Sequence, residues 1–416
     1  MLALYSLLLA CGGESAPETP VKTNEEAPPP KAEEKPPEPT REALEGGPFP
    51  GLLVSQAWFW KSSDGKPRPG PARLEILRQS GDGWVNTRLE DPDSNVFHKA
   101  MPYEGGILTI GAEKAILKKW SFSDGEWKED SLWTRAWKGK FNRLRDIEIG
   151  DVDGDGKDEF VIATHDAGVV AVLHPDEGNR VDELDEKPDT FVHEIEIGDI
   201  DGDGKLEFFA TPTDRNKANQ SQGGSMVMYR WDGSSFVRSV VDPFGKTHAK
   251  EILAADLDGD GVSELFSVVE AETIGKTIVK PVEVRQYSIG ADGGFVPSVI
   301  ATIDDRQMRF LVPGDFDHDG SVELVAAAMK SGLWLLDPGE DGWTSVSIDK
   351  ESSGFEHTSY GADLDGDGKQ ELYVASDDQR ELRRYLWNAS SSSFDRTKIG
   401  DIPASTITWN IVSGEF

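Results

Sequence analysis

The 416-residue sequence contains one cysteine, far fewer basic than acidic residues, and no N-terminal apolar run of bilayer-spanning length. A single cysteine excludes an internal disulfide, so an exported chain of this kind needs another cross-link, for which bound metal is the obvious source. Lys and Arg total 43 against 76 Asp and Glu, and the formal charge is −33. Such a field repels phosphate backbones and anionic headgroups, so we expect no nucleic-acid partner.

Sequence motifs of common enzyme classes are also missing. The chain has no serine nucleophile elbow, no HExxH, no phosphate-binding glycine loop and no pair of cysteines. We therefore expect that the protein is not an enzyme.

The N-terminal residues are similar to an export and anchoring segment. A short apolar run ends in Leu8-Leu9-Ala10-Cys11, which resembles a bacterial lipobox, although no Lys or Arg precedes the run. The resemblance implies that residues 1–10 are a lipoprotein signal peptide and that Cys11 is lipidated. Residues 11–47 are rich in Pro and Glu, as in a disordered tether. We expect a lipid-anchored protein of the bacterial cell envelope, at the outer membrane or cell surface, which contacts the membrane through this anchor only.

From residue 48 onward the pattern is that of an all-β domain. Short runs of alternating apolar residues are broken by Gly, Asp and Ser, with no period of 3.6 residues. A strand, an acidic loop, a second strand and a hairpin recur about every 50 residues, and the hairpin has seven copies. Four strands per unit are typical of a propeller blade, so residues 48–416 are predicted to form a monomeric seven-bladed β-propeller.

The two ends of this domain are predicted to share one blade. The C-terminal segment from Trp409 to Phe416 matches the strand that enters each acidic loop, and the chain stops where a loop would begin. The remainder of that blade is found in residues 52–60 and 73–90. Pairing of the N- and C-terminal strands would close the ring and remove its open edge.

The acidic loop carries the clearest chemical signal. Carboxylates at positions 1, 3, 5 and 9 and a main-chain carbonyl at position 7 can converge on one hard cation, and this oxygen-rich set suits Ca²⁺. Position 6 is always glycine, as a backbone with positive φ requires, and position 12 lacks the glutamate of an EF-hand. We expect about five structural Ca²⁺ ions. The predicted ligand sets are Asp151, Asp153, Asp155, Glu159; Asp199, Asp201, Asp203, Glu207; Asp256, Asp258, Asp260, Glu264; Asp315, Asp317, Asp319, Glu323; and Asp363, Asp365, Asp367, Glu371.

Five such loops in blade context resemble the FG-GAP or VCBS repeats of integrin-α-like propellers, from about residue 50 to residue 416. The resemblance implies a propeller in which the calcium ions have a structural role and fix the geometry of the blades. The literal Phe-Gly and Gly-Ala-Pro motifs are absent, and position 9 is Glu where the integrin type usually has Asp. An integrin-like ligand is therefore not implied.

A basic register appears when the repeats are aligned on the first loop aspartate. The family topology puts this register at the start of the innermost strand, around the channel mouth opposite the calcium loops. A ring of cations there would attract an anionic ligand; alternatively, the cations pair with Asp146, Glu194 and Glu251 between blades. The residues six positions upstream of the loops are Arg145, His193, Lys250, Arg309, His357 and, in the closing strand, Trp409.

Two function classes follow from these observations. The first is a calcium-stabilised surface module that binds a glycan, a peptide or an envelope protein. The second is a polysaccharide-active enzyme, such as a propeller-type lyase, with His193, His357 and Arg309 as site residues on the face opposite the calcium loops.

Overall fold

Antiparallel strands make up nearly all of the described chain, which in this computed structural model consists of residues 50–80, 83–137, 142–187, 189–215 and 221–415. The predicted signal peptide, Cys11 and the tether lie outside these residues. Within them, no helix has the length and apolar character needed to cross a bilayer. The described chain is therefore the predicted propeller domain.

The first three blades along the chain contain the strands β1 to β12. Blade 1 contains β1 (Pro50–Lys61), β2 (Pro67–Pro69), β3 (Ala72–Ser80) and β4 (Gly83–Asp91). Blade 2 contains β5 (Phe97–Tyr103), β6 (Gly106–Gly111), β7 (Ala115–Ser123) and β8 (Glu126–Arg135). Blade 3 contains β9 (Leu144–Gly150), β10 (Glu159–Thr164), β11 (Val169–His174), a 3₁₀ turn at Pro175–Glu177, and β12 (Arg180–Glu186).

The remaining blades repeat this order, with one inserted hairpin in blade 5. Blade 4 contains β13 (Thr190–Gly198), β14 (Glu207–Asp214), β15 (Ser225–Trp231) and β16 (Phe236–Pro243). Blade 5 contains β17 (Ala249–Ala255), β18 (Glu264–Val269), the inserted β19 (Glu272–Ile274) and β20 (Thr277–Lys280), then β21 (Val282–Ile289) and β22 (Phe295–Ile303). Blade 6 contains β23 (Met308–Gly314), β24 (Glu323–Ala328), β25 (Gly332–Asp337) and β26 (Thr344–Asp349). Blade 7 contains β27 (Ser359–Ala362), β28 (Glu371–Ser376), β29 (Glu381–Asn388) and β30 (Ser393–Asp401), and the chain ends in β31 (Thr406–Glu415).

The ring closes as the sequence predicts. β31 pairs antiparallel with β1, from Pro50 opposite Glu415 to Trp58 opposite Thr406, so the two ends of the domain complete blade 1. The innermost strands β5, β9, β13, β17, β23, β27 and β31 contact one another in sequence around a closed circle. The prediction of a seven-bladed propeller is confirmed, and its shared first blade leaves no open edge between blades 7 and 1.

Seven apolar clusters hold neighbouring blades together, one at each interface. In one of them, Leu108 and Leu117 of blade 2 pack with Ile147 and Phe160 of blade 3, and in another Leu52 of blade 1 packs with Tyr373 of blade 7. The alternation along each strand directs apolar side chains into these interfaces, where burial of each large one contributes about 1.5–3 kcal/mol. Apolar packing thus joins each blade to its neighbours, while polar residues occupy the ends of the innermost strands.

Candidate ligand pocket and calcium loops

A β-bulge sits near the start of six innermost strands and brings the predicted basic register into the channel. The pairing of β9 with β10 shifts between Asp146 and Leu144, and that of β23 with β24 shifts between Phe310 and Met308. Equivalent shifts occur in β5, β13, β17 and β31. A bulge inserts one residue without a cross-strand partner and redirects its side chain. The residues at these shifts are His98, Arg145, His193, Lys250, Arg309 and Trp409.

These six side chains line one cavity, of about 820 Å³ including its solvent-filled mouth. The cavity lies at the ends of the innermost strands opposite the acidic loops. Five cationic side chains line it, against the two carboxylates of Glu270 and Glu356. The cations are Arg143, Arg145, Lys250, Arg306 and Arg309. A positive pocket therefore exists on a molecule of formal charge −33, and its field favours anions.

His357 does not belong to this pocket, contrary to the expectation from the sequence. Its Nδ1 lies 2.6 Å from the Ala328 carbonyl oxygen and its Nε2 lies 2.7 Å from Ser352 Oγ. The backbone of His357 has a φ of +58°, which turns the chain before β27 and leaves Phe355 and Glu356 facing the cavity instead. His357 thus has a structural role within its blade.

The alternative expectation was that the basic ring residues pair with Asp146, Glu194 and Glu251, which follow them in the sequence. No such pair occurs among the described ion pairs. Asp146 accepts a hydrogen bond from Ile195 N–H at 2.7 Å, and Glu251 accepts one from Leu311 N–H at 2.9 Å. These carboxylates join the innermost strands of neighbouring blades, while Lys99 pairs with Asp146 at 3.0 Å. Deeper in the channel, therefore, acidic side chains serve the blade interfaces and do not neutralise the pocket.

Arg309 and Arg145 are the ring residues that have carboxylate partners among the described ion pairs. Arg309 Nε lies 3.2 Å from Glu270 Oε1, and its guanidinium also contacts Glu356. The other oxygen of Glu356 lies 3.7 Å from Arg145 Nη2. These two glutamates hold the arginines in place at one side of the pocket.

Several buried polar atoms of the pocket wall lack hydrogen-bond partners among the described residues. His193 is 2 % exposed, and its Nε2 has no hydrogen bond. The same holds for Trp409 Nε1, for both ring nitrogens of His248 and for Glu356 Oε2. Lys250 is 6 % exposed and makes none of the described ion pairs or side-chain hydrogen bonds. Unsatisfied buried polar groups cost free energy, so their concentration at one cavity indicates a site built for a polar ligand.

Burial controls the protonation of this pocket. Burial, reinforced by Lys250, holds the pKa of His193 well below its usual range. Burial also lowers the pKa of His98, His165 and His248, in the case of His165 to about 4. The pKa of Lys250 is lowered to about 8 by burial and by Arg309. Outside the pocket, burial also lowers the pKa of His357, to about 4.

Several pocket residues escaped the sequence alignment because they lie outside its register. His98 occupies the bulge of blade 2, but that blade has no acidic loop on which to align it. His165 and Glu270 lie just after the second strand of their blades, and the basic register gave no signal for them. The additional polar lining residues are His98, Arg143, His165, His248, Glu270, Arg306 and Glu356.

His248 and Glu270 form a buried pair at the pocket wall. His248 Nε2 lies 3.3 Å from Glu270 Oε2. Burial alone would raise the pKa of Glu270, but the charges of Lys250, His248 and Arg309 outweigh it and hold that pKa well below the usual range. An ionised carboxylate therefore lies beside a neutral imidazole, which is able to accept a proton.

The acidic loops share one hydrogen-bonded frame. In the blade 6 loop the N–H of Gly320 donates to Asp315 Oδ2, that of Ser321 to Asp319 Oδ1, and that of Phe316 to Glu323 Oε2. The hydrogen bond from the position-6 N–H to the first aspartate recurs in the other four loops. The first aspartate keeps one oxygen without a hydrogen bond in blades 3 and 6, whereas both of its oxygens accept hydrogen bonds in blades 4, 5 and 7. The position-6 glycines have φ between +79° and +95°, as expected for a turn that only glycine adopts easily.

The blade 6 loop fits a calcium ion. Asp315, Asp317, Asp319 and Glu323 bring one carboxylate oxygen each to within 4.8 Å of one another. Asp315 Oδ1 and Glu323 Oε1 are buried without a hydrogen-bond partner, and Glu323 is 0 % exposed. Buried carboxylate oxygens with no donor suit a hard cation, which would tie the end of β23 to the start of β24.

The blade 4 loop differs from the blade 6 loop in having a guanidinium beside its carboxylates, although Asp199, Asp201 and Asp203 also bring one oxygen each to within 4.8 Å of one another. Arg230 in β15 places its Nη2 2.5 Å from Asp201 Oδ2 and its Nε 2.8 Å from Glu207 Oε1. The guanidinium therefore supplies the positive charge that calcium would bring to these two predicted ligands. In blade 7, Arg384 approaches only Glu371, at 3.5 Å.

Comparisons with known proteins support the fold and its repeats. Residues 151–210 and 199–267 match the FG-GAP-like repeat family. Comparison with curated protein sequences finds no match. Among solved structures, a protein from Lactobacillus plantarum aligns with a TM-score of 0.55 at 12% identity, over 88% of this chain and 99% of its own.

Two further solved propellers carry the names of lactonases. A putative 6-phosphogluconolactonase from Bacteroides fragilis aligns with a TM-score of 0.51 at 13% identity, over 87% of this chain and 98% of its own. The periplasmic gluconolactonase of Pseudomonas aeruginosa aligns with a TM-score of 0.50 at 12% identity, over 88% and 98%. At such identities the likeness concerns the fold. It nevertheless corrects the expectation that the protein is not an enzyme, because propellers of this shape are named as hydrolases.

Proposed function

We propose that this propeller with FG-GAP-like repeats binds a small anionic sugar, of the sugar-acid class, in the cationic pocket at its channel mouth. The observation that carries the proposal is the grouping of His193 Nε2, which has no hydrogen-bond partner, with the Lys250 ammonium, which forms none of the described ion pairs, beside Arg145. A carboxylate offers two acceptor oxygens to these donors, and sugar hydroxyls can complete the set. The sugar class is narrower than the glycan, peptide or protein partner expected from the sequence.

Calorimetric titration with gluconate, glucuronate and 6-phosphogluconate, with glucose as the neutral control, tests this proposal. Binding of at least one acid with no binding of glucose supports it. Failure of all three acids to bind, in a folded and calcium-loaded protein, contradicts it.

A second candidate function is the hydrolysis of a sugar lactone in the same pocket, and the His248–Glu270 pair favours it. The neutral imidazole, whose Nε2 lies 3.3 Å from Glu270 Oε2, would take a proton from water at Nδ1. The resulting hydroxide would add to the lactone carbonyl carbon, and Lys250 and Arg309 would stabilise the negative charge on the carbonyl oxygen. Cleavage of the ring C–O bond, with return of the proton to the leaving oxygen, yields the hydroxy acid that the pocket binds.

We expect His248→Asn to lower kcat for hydrolysis of gluconolactone by about 100-fold or more, because a general base contributes about 10²- to 10⁴-fold. Affinity for the product acid should change by less than about threefold, since Lys250 and the arginines that attract it remain. Stopped-flow assays with a pH indicator, corrected for spontaneous hydrolysis, measure the rate. Turnover at the buffer rate, or an unaffected variant, would rule out this chemistry.

The polysaccharide lyase alternative has less support. It required His193, His357 and Arg309 at one site, but His357 lies outside the pocket. The described lining residues also include no tyrosine to act beside the histidines.

We also propose that calcium in the acidic loops stiffens the propeller and that a lipid on Cys11 holds this monomeric domain at the bacterial cell envelope. The unpartnered carboxylate oxygens support calcium binding in the loops, and the lipobox-like sequence supports the lipid anchor.

Cys11→Ser should move the protein from the membrane fraction to the soluble fraction and abolish incorporation of radiolabelled palmitate, because the thiol is the acceptor of the lipid. Fractionation of expressing bacteria with a labelled known lipoprotein as control provides the measurement. Unchanged labelling of the variant would exclude the anchor.

A further inference from the structure

One position in the third strand of blades 3 to 7 faces the acidic loop of the same blade. In each of these blades, one residue of the third strand pairs with the first apolar residue after the loop, as Leu173 pairs with Phe160 and Tyr229 pairs with Phe208. The position in question is the next residue along the third strand. Five loops with the same set of four carboxylates therefore meet five different side chains. In blades 3 to 7 the residue at this position is His174, Arg230, Ser288, Asp337 and Leu386.

In blade 3 this position adds an imidazole to the carboxylates. His174 is 3 % exposed, and its Nδ1 lies 3.4 Å from Glu159 Oε1 and 3.7 Å from Asp153 Oδ2. One donor atom from each of these three residues lies within 4.8 Å of the others. A nitrogen ligand therefore stands next to two oxygen ligands at the inner end of the loop.

The other nitrogen of His174 is fixed by a carboxylate. Its Nε2 lies 3.2 Å from Asp182 Oδ2 in the neighbouring strand β12, and Arg180 holds the same oxygen. A hydrogen bond from Nε2–H to Asp182 leaves the lone pair on Nδ1, which faces the loop. A histidine that ligates a metal commonly has such a carboxylate on its second nitrogen, which sets the tautomer and raises the basicity of the ring.

A third observation is independent of the histidine. Asp151 Oδ1 is buried and has no hydrogen-bond partner in the described structure, although Asp151 Oδ2 accepts a hydrogen bond from Gly156 N–H. The nearest lysine, Lys157, is half exposed and lies 3.9 Å from Asp155. No described guanidinium or ammonium group forms an ion pair with Asp151, Asp153 or Glu159, in contrast to the blade 4 loop with Arg230.

We propose that the blade 3 loop, completed by His174, binds a divalent transition metal of the zinc class in preference to calcium. Imidazole nitrogen is a good ligand for Zn²⁺ and its neighbours in the transition series, whereas Ca²⁺ prefers an all-oxygen set. The other loops offer Ser, Asp, Leu or Arg at this position, so the preference is confined to one blade. This site lies on the face opposite the ligand pocket and does not depend on the function proposed there.

The alternative is that His174 is protonated and acts as an internal cation, as Arg230 does in blade 4. The two arrangements predict opposite results with zinc, because an imidazolium has no lone pair for a metal. A competition experiment on the full chain separates them.

We expect protein saturated with calcium to retain one Zn²⁺ and to release one Ca²⁺ when zinc is added, as measured by elemental analysis after gel filtration. His174→Gln should weaken zinc binding at this site by at least about 100-fold and leave the calcium in the other blades unchanged. Asp182→Asn should weaken it by about 10- to 100-fold, as loss of a carboxylate behind a ligating histidine does.

The position of the metal supplies a readout that does not need either variant to fold. Anomalous scattering at the zinc edge should place the ion beside His174 Nδ1 in crystals of the unaltered protein. Zinc found elsewhere, zinc retained equally by His174→Gln, or no retained zinc would each overturn the proposal.

Discussion

Chelation of calcium should lower the melting temperature of the propeller by about 10–15 °C. Arg230 occupies one of the five loops, so we expect four Ca²⁺ ions per chain in buffer that contains calcium alone. With free calcium at about 100 times Kd, each site adds about 2.7 kcal/mol to the free energy of unfolding, or about 11 kcal/mol for four. A domain of this size has an unfolding entropy of about 0.8 kcal/mol/K, which gives the stated shift.

Scanning calorimetry with and without chelator, together with elemental analysis, measures both quantities. Glu323→Gln should remove one ion and lower the melting temperature by about 3 °C. Arg230→Ser, which introduces the residue found at this position in blade 5, should raise the count from four to five. An unchanged melting temperature after chelation would contradict the structural role of the metal, and five ions in the unaltered protein would contradict the blocking role of Arg230.

Lys250→Met should weaken binding of the sugar acid by about 10- to 100-fold, because a hydrogen bond to a charged group contributes about 1.5–3 kcal/mol. The same change should alter the melting temperature little. It removes the desolvation cost of a buried ammonium that has no described ion-pair partner, but it also removes a charge that stabilises the ionised Glu270. Loss of affinity without loss of stability is expected of a residue retained for function.

Lys99→Met is the matched control for Lys250→Met. Lys99 lies in the same channel, but it pairs with Asp146 at 3.0 Å and also contacts Glu148. Its removal leaves buried carboxylates without a counterion, so the melting temperature should fall while affinity for the acid changes little. If Lys250→Met lowered stability and left affinity unchanged, the cationic pocket would be a structural feature only.

The pH dependence of binding gives a second readout for Lys250. With a pKa of about 8, its ammonium is charged below that pH, so affinity for an anion should be constant from pH 6 to 7 and fall above pH 8. Burial lowers the pKa of the pocket histidines, in the case of His165 to about 4, so we expect no increase in affinity from them at pH 6. The Lys250→Met variant should lose the decline above pH 8.

Much of the fold follows from local features of the sequence. Strand alternation and turn residues recur in every repeat, and the match between residues 409–416 and the other innermost strands predicts the shared first blade, which the β31–β1 pairing confirms. The loop carboxylates were equally visible, because residues at positions 1, 3, 5 and 9 of one tight turn converge through local backbone geometry alone.

The pocket was less predictable because its parts come from different registers. The alignment on the loop aspartates located Arg145, Lys250 and Arg309, but it also included His357, whose turn with positive φ directs it into the blade. His98, His248 and Glu270 carry no common spacing relative to the loops. They meet only because the bulged ends of several innermost strands and the loops after second strands surround one channel.

The all-β class, the seven repeats, the closure of the ring and the carboxylate sets of the loops can be predicted from the residues alone, since each depends on contacts within a repeat or on its copy number. Which charges lack an ion-pair partner and which third-strand residue reaches each loop depend on the packing of the folded chain. Arg230 and His174 lie 31 and 23 residues after the first aspartate of their loops, and Glu270 meets Arg309 across a blade interface. The charge and ligand number of a site depend on these through-space distances, which composition and spacing along the chain do not specify.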